Sequence, residues 1–131
     1  MPLNDLPEEP ILSSYATIEP YVTRDGSVIR ELMHPSVQGN RGQSLAEATV
    51  APGGATLLHR HRQTEEVYHF TQGSGRMRLG TRWLDVSAGD TVCIPPGIAH
   101  ALENTGQVEM RLLCACTPAY SHEDTELLDP S

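Results

Sequence analysis

The sequence predicts an all-β protein, either a sandwich or a barrel built from short strands. Nine runs rich in β-type residues follow one another, and turn-forming residues separate each run from the next. No long amphipathic helix, internal repeat or low-complexity segment interrupts this pattern. The 131 residues match the length of one ordinary domain, which is large enough to bury a hydrophobic core.

The predicted strands occupy nine stretches of the middle of the chain. In order, they lie near residues 27–33, 44–51, 55–61, 65–72, 75–79, 82–87, 91–95, 99–104 and 108–116. The turns between them are marked by "DG" at 25–26, "PGG" at 52–54, "QGSG" at 72–75, "SAGD" at 87–90, "PPG" at 95–97 and "NTG" at 104–106. Glycine and proline favour chain reversals at such positions, so each predicted strand ends where its turn residues begin.

The two ends of the chain differ from this middle part. Residues 1–20 are rich in proline and acidic side chains, and they are predicted to form an extended arm. Residues 21–118 are predicted to form the barrel. Residues 119–131 are predicted to be an acidic tail, which either makes one helical turn or lies over a neighbouring segment.

The charge pattern disfavours nucleic acid as a partner. The net charge is −8, but residues 24–111 contain nine arginines and nine acidic residues, so their charges sum to zero. The acidic excess lies in the two ends, and no basic surplus is available to neutralise phosphates. The chain has no lysine, which excludes Schiff-base chemistry on a side-chain amine. A fixed positive charge in any pocket must therefore come from arginine or from a metal ion.

Two further features are not expected from the sequence, a membrane-spanning segment and a disulfide framework. No run of about 18 apolar residues exists, and the start "MPLNDLPEEP" is acidic, unlike a signal peptide. The three cysteines, Cys93, Cys114 and Cys116, are an odd number and lie inside apolar runs. We therefore expect a cytoplasmic protein with no membrane partner.

The stretch "LLHRHRQTEEVYHFTQG" at 57–73 is the strongest functional candidate. Alternate side chains of a strand share a face, so His59 and His61 point the same way, with Cα atoms about 6.6 Å apart. In the next strand, Glu66 shares a face with Tyr68 and Phe70. One face of this hairpin would then present two imidazoles and a carboxylate. Such a cluster is either a metal site or simply a set of polar residues on a hydrated strand.

A second stretch, "GDTVCIPPGIAHALEN" at 89–104, supplies another candidate, His100. The Pro96-Gly97 pair suits the two central positions of a type II turn, where glycine accepts a positive φ. That turn could direct His100 back toward the barrel interior.

Together, the two stretches resemble the paired signatures of the cupin family. The first signature, G-x5-H-x-H-x4-E-x6-G, is matched by Gly53, His59, His61, Glu66 and Gly73. The second, G-x5-P-x-G-x2-H-x3-N, is matched by Gly89, Pro95, Gly97, His100 and Asn104. The resemblance implies a double-stranded β-helix, a jelly-roll-like barrel that is usually a homodimer and holds one metal ion inside.

By the same resemblance, the metal ligands would be His59, His61, Glu66 and His100, while the spacing leaves out Glu65. Three imidazoles and one carboxylate suit Fe, Mn, Ni, Co, Cu or Zn, and suit Ca or Mg poorly. Four protein ligands on an octahedral ion would leave two positions for substrate or water. The alternative is a barrel without metal that binds a small molecule.

Tyr68 is the catalytic candidate, since its hydroxyl would lie near Glu66 and could move a proton or orient a substrate. Leu57, Phe70 and Leu102 are interpreted as apolar lining of the pocket. Cys114 and Cys116 share one strand face and are interpreted as small buried side chains, unless that face lines the pocket.

The remaining histidines are predicted to lie away from the metal. By alternation His69 faces outward, His122 belongs to the acidic tail, and His34 is expected at the surface, with the barrel mouth as the alternative. Sequence phase leaves open whether Glu47 or any of four strand arginines points inward; these are Arg30, Arg76, Arg78 and Arg111. An inward arginine would indicate a carboxylate or phosphate substrate.

The resemblance implies a metal-dependent enzyme that acts on a small organic molecule, with the metal as a Lewis acid. Isomerases, lyases and dioxygenases all occur within the family, and the sequence does not separate them. The alternative function is a non-catalytic module that binds a sugar or an effector in the barrel. The predicted partners are therefore a small-molecule substrate or ligand and a second copy of the chain.

Overall fold

Two antiparallel β-sheets pack face to face in the computed structural model, which describes residues 9–129. Within this range, the strands are β1 (Tyr21–Val22), β2 (Val28–Met33), β3 (Ser44–Val50), β4 (His59–His61), β5 (Glu65–Gln72), β6 (Ser74–Leu79), β7 (Arg82–Ser87), β8 (Thr91–Ile94), β9 (His100–Glu103), β10 (Met110–Thr117) and β11 (Thr125–Leu127). A 3₁₀ turn covers Tyr15–Thr17. The first sheet has the order β1-β2-β3-β10-β5-β8, and the second has the order β11-β4-β9-β6-β7.

This architecture confirms the predicted fold class, an all-β double-stranded β-helix. The sequence alternates along the strands because each strand has one face toward the interior between the sheets and one toward solvent. In β10, for example, Met110, Leu112, Cys114 and Cys116 are buried, whereas the residues between them are partly exposed. No helix in the part of the chain described is long and apolar enough to cross a membrane.

The core fills one end of the space between the sheets. Phe70 from β5, Met77 from β6 and Met110 and Leu112 from β10 are almost completely buried there. Burial of such side chains contributes about 1.5–3 kcal/mol each. The other end contains smaller and more polar residues, and that difference leaves room for a cavity beside the predicted ligands.

Two glycines are required by the backbone geometry. Gly97 has φ of 84°, and Ile98 N–H donates to Pro95 O at 3.3 Å, as the predicted type II turn requires. Gly75 has ordinary dihedral angles but no space for a side chain. A Cβ at Gly75 would lie 2.1 Å from Glu103 O and 2.3 Å from Met110 Cε.

Most predicted strands are confirmed, usually to within two residues at each end. The prediction for 55–61 was too long, because only His59–His61 forms a continuous strand and Ala55 makes a single bridge to Glu103. Two short strands, β1 and β11, were not predicted. The tail forms β11 rather than a helical turn, and β11 pairs with β4. Of the predicted arm, residues 1–8 lie outside the described residues.

Candidate metal centre

Three histidines from two neighbouring strands converge inside the barrel. His59 and His61 lie two residues apart on β4, so both side chains face the interior, and both are buried. His100 begins β9 and is the direct cross-strand partner of His59. The ring centroids of His59 and His100 are 4.2 Å apart, and the ring of His61 lies 5.2 Å and 5.3 Å from them. One ring nitrogen of each histidine lies within 4.8 Å of the others, so the three could hold a metal ion.

The hydrogen bonds of these histidines fix which nitrogen carries the proton. His59 Nδ1 lies 2.8 Å from Leu57 O, and His100 Nδ1 lies 2.9 Å from Ile98 O. A carbonyl oxygen only accepts, so both Nδ1 atoms must donate. His61 Nδ1 lies 3.0 Å from Thr125 Oγ1, whose own proton is donated to Ser121 O at 2.8 Å. In the neutral form of each ring the lone pair is therefore on Nε2, as it is in metal-ligating histidines.

Glu66 approaches two of these histidines, His61 and His100, from the opposite sheet. It is buried on β5, and its Oε1 lies 3.1 Å from His61 Nε2 and 3.5 Å from His100 Nε2. Its other oxygen, Oε2, accepts a hydrogen bond from Cys116 Sγ at 3.2 Å. Burial alone would raise the pKa of Glu66, but hydrogen bonds and positive charge from His100 and His61, in their protonated form, lower it to about 2. Glu66 is therefore a carboxylate at neutral pH. The neighbouring Glu65 is exposed.

These atoms fit a cation. Glu66 Oε1 and His100 Nε2 are buried without any hydrogen-bond partner. A carboxylate oxygen that faces unprotonated ring nitrogens brings acceptors together, and this is unfavourable unless a positive charge lies between them. Three imidazole nitrogens and a carboxylate oxygen are the donor set of a first-row transition metal. Burial lowers the pKa of His59 to about 4, with a further contribution from His100, so this ring is neutral at pH 7.

A cavity extends from this centre between the two sheets. It offers about 50 Å³ to the centres of water-sized molecules, enough for more than one water. Tyr68, Leu102 and both buried cysteines line it. Burial, followed by the charge of Glu66, raises the pKa of Tyr68 well above its ordinary value, so its phenol stays protonated and can donate a proton. The ring of Tyr68 lies 5.8 Å from that of His100.

The cysteines lie closer to the site than their sequence pattern indicated. Burial, together with the charge of Glu66, raises the pKa values of Cys114 and Cys116, so both thiols stay protonated. Cys116 donates to a predicted ligand, while Cys93 is exposed.

Three further cavity residues, Asp25, Glu31 and Tyr120, were not predicted from the sequence. Asp25 Oδ2 lies 3.7 Å from His59 Nε2, and Asp25 Oδ1 accepts hydrogen bonds from Ser27 N–H and Oγ. The "DG" pair had indicated only a turn. Glu31 is buried in the middle of β2. An acidic residue inside a strand was the one available signal for it.

Tyr120 brings the tail to the mouth of the cavity. Its ring meets that of His61 edge-on at 5.8 Å, and its hydroxyl lies 3.0 Å from Thr23 Oγ1. Its backbone is held by Ser44 Oγ, which accepts from Tyr120 N–H, and by His34 Nε2, which lies 2.7 Å from Tyr120 O. His34 is half-buried beneath this tail segment, which corrects the expectation of a surface histidine.

The other expectations have mixed outcomes. His69 is exposed and bound to Thr91, and His122 is exposed, as predicted. Leu57 was wrongly placed in the lining, because 54% of it is exposed. Glu47 faces outward and accepts a hydrogen bond from Tyr15. Among the described residues, no arginine lines the cavity, so the four strand arginines all lie elsewhere.

Comparison with known proteins gives the chain's relatives. The sequence model described as "Cupin domain" matches residues 46–116. An uncharacterized protein of Methanocaldococcus jannaschii is 49% identical over 119 residues, covering 91% of this chain and 95% of that protein. The oxalate-binding protein of Thermotoga maritima is 29% identical over 84 residues, covering 64% and 65% of the two chains.

One solved structure shares the fold closely. The polyketide cyclase RemF of Streptomyces resistomycificus superposes with a TM-score of 0.76 at 21% sequence identity. The match covers 91% of this chain and 85% of that protein. At this identity the likeness concerns the fold alone.

Proposed function

This chain belongs to the cupin family, and we propose that it is a metal-dependent enzyme acting on a small organic molecule. His59, His61, His100 and Glu66 would hold one divalent transition metal. The observation that supports the proposal most directly is the convergence of three buried histidines, two of which face the unpartnered carboxylate oxygen of Glu66. When bound, the metal would act as a Lewis acid on a carbonyl, enol or hydroxyl oxygen of the substrate.

The side chains around the centre favour proton-transfer chemistry, of an isomerase or lyase type, over dioxygenase chemistry. Tyr68 is a buried, protonated phenol that lines the cavity and can donate a proton to a substrate oxygen. Asp25 lies beside His59 with Oδ2 turned toward the ring, where a carboxylate can accept a proton. An acid and a base near one centre are the requirement for moving a proton along a carbon skeleton.

One experiment distinguishes an enzyme from a protein that only binds its ligand. Purified protein with measured metal content is incubated with a mixture of small hydroxylated and carbonyl metabolites, and turnover is followed by mass spectrometry. Tyr68→Phe should keep its metal but lose turnover by about 100-fold or more, because only the hydroxyl is removed. Turnover that is equal in wild type and Tyr68→Phe would contradict the role given to this tyrosine.

The second candidate function is a binding module without catalysis. It is favoured by the Thermotoga maritima relative, which is described as an oxalate-binding protein. In that case a compound would be retained by the protein and recovered unchanged. Retention without turnover in the same incubation would favour this second function over the enzyme.

A further inference from the structure

The wall of the cavity is rich in hydrogen-bond acceptors and contains no cationic side chain among the described residues. Three carboxylates line it, those of Asp25, Glu31 and Glu66. Arg24 follows β1 but turns away, because its guanidinium donates to the backbone oxygens of His122 and Thr125. A ligand in this cavity would therefore face negative charge from several directions.

Glu31 has the clearest unmet requirement. The residue is 9% exposed, and its Oε2 accepts a hydrogen bond from Tyr21 Oη at 2.9 Å. Its Oε1 is buried and has no hydrogen-bond partner. An unpaired buried carboxylate oxygen is unfavourable, so a donor from outside the protein would stabilise it. Glu31 is therefore positioned to accept a hydrogen bond from a hydroxyl or an amine group of a ligand.

The sheet register places Glu31 three strands away from Tyr68 along the inner face of the first sheet. Glu31 pairs with Ala46, Ala46 with Cys114, and Cys114 with Tyr68, so the four lie in one row on the inner face. Three strand spacings separate Glu31 from Tyr68, or about 14 Å between their Cα atoms. The small side chains of Ala46 and Cys114 lie between them and leave the space that a ligand would fill.

The charges decide what kind of ligand suits this space. Among residues 9–129, three acidic side chains and no arginine line the cavity, so a bound divalent metal would be the only positive charge available to an anionic ligand. The acidic side chains would repel both negative charges of a dianion such as oxalate, at close range and in a poorly hydrated site. A neutral molecule with a hydroxyl group at each end could direct one oxygen to the metal and donate the other hydroxyl to Glu31.

We infer that the site takes a neutral, hydroxyl-bearing organic ligand, with Glu31 as the residue that determines specificity, and that it rejects dicarboxylates. This inference rests on the proposed function, because it assigns the substrate class of the same site. Ile29 and Leu102 line the cavity with apolar surface, against which the carbon frame of such a ligand would pack.

The test uses two probes of one shape and different charge. Binding of benzene-1,4-dimethanol and of benzene-1,4-dicarboxylate is measured by calorimetry at pH 7, on protein whose metal content is determined from the same preparation. Wild type should bind the diol at least about tenfold more tightly than the dicarboxylate. Glu31→Gln should reduce this ratio by about tenfold or more, since it removes one negative charge and adds an N–H donor.

Glu47→Gln is the matched control, because Glu47 lies on the adjacent strand but faces outward; its ratio should equal that of wild type. Equal affinities for the two probes in wild type, an absence of diol binding, or an unchanged ratio in Glu31→Gln would each overturn the inference. The metal content of each preparation is measured separately from ligand binding. Protein without metal that still prefers the diol would contradict the proposed metalloenzyme, whereas fully loaded protein without the preference would contradict this inference alone.

Discussion

At the scale of single residues, Thr125 fixes the position of a proton on His61, one of the proposed metal ligands. Its hydroxyl donates to Ser121 O and so can only accept from His61 Nδ1, which places the lone pair of the neutral His61 ring on Nε2. This role belongs to a residue of the tail, far from either signature in sequence. The signatures identify ligands, but they carry no information about which residue orients each ring.

Thr125→Val should weaken metal binding by about 10- to 100-fold, because it removes the acceptor but keeps the side-chain volume. The measurement is a competition titration with a chromogenic chelator. Thr91→Val is a matched control, since Thr91 Oγ1 makes the same contact, at 2.8 Å, with the exposed His69. Thr125→Ser should keep the wild-type affinity. An equal loss in Thr91→Val, or no loss in Thr125→Val, would contradict the positioning role.

Gly75 gives a second prediction at this scale, and it concerns stability rather than metal binding. Gly75→Ala should lower the free energy of unfolding by about 3 kcal/mol, because the added Cβ would overlap Glu103 O and the end of Met110. Urea denaturation followed by circular dichroism measures this change.

Gly42→Ala is the comparison, because a Cβ there has no atom within 4 Å. That variant should change the free energy of unfolding by less than about 0.5 kcal/mol. Similar midpoints for Gly75→Ala and wild type would show that β6 and β9 can separate to admit the methyl group.

At the scale of elements, alternation and turn residues predicted the central strands because each has one buried face. The same alternation placed His59, His61 and Glu66 correctly toward the interior, and it turned His69 outward. Strands β1 and β11 have two and three residues, too few for any alternation to be visible. Asp25 and Glu31 were missed for a different reason: only the pairing of β1, β2 and β3 brings them to the cavity, and sequence does not specify that pairing.

The tail strand β11 should stabilise the ligand strand β4, which has only three residues. Arg60 and Arg62 of β4 both contact the Glu126 carboxylate of β11, and these two arginines lower its pKa. Since those groups are exposed, we expect the backbone pairing and buried Thr125 to contribute more than the charges. Glu126→Gln should therefore leave metal affinity within about twofold of wild type, measured by the same chelator titration. A loss as large as that of Thr125→Val would show that the ion pairs hold β4.

At the scale of the whole molecule, the family resemblance and the sheet edges lead to a proposed homodimer. The first sheet ends at the two-residue strand β1, which leaves an edge available for pairing. Close to it, Leu12 and Val37 line one surface groove and are 90% and 66% exposed. Exposed apolar residues that cluster beside a sheet edge are typical of an interface.

Light scattering should give a mass twice the 14.3 kDa of one chain. The double variant Leu12→Asp, Val37→Asp should be a monomer with unchanged metal content, because the four proposed ligands all belong to one chain. Leu57→Asp, another exposed leucine, is the control and should remain a dimer. A monomeric wild type at micromolar concentration would contradict the proposed assembly.

The most direct test of the central claim is metal analysis of protein purified without chelator and without a nickel affinity step. Wild type, His100→Ala and the control His69→Ala are compared by elemental mass spectrometry. The proposed centre predicts about one transition metal ion per chain in wild type and in His69→Ala, and a loss of most of it in His100→Ala. Wild type that is free of metal and cannot be loaded with Fe, Mn, Ni, Co, Cu or Zn would contradict the metal centre.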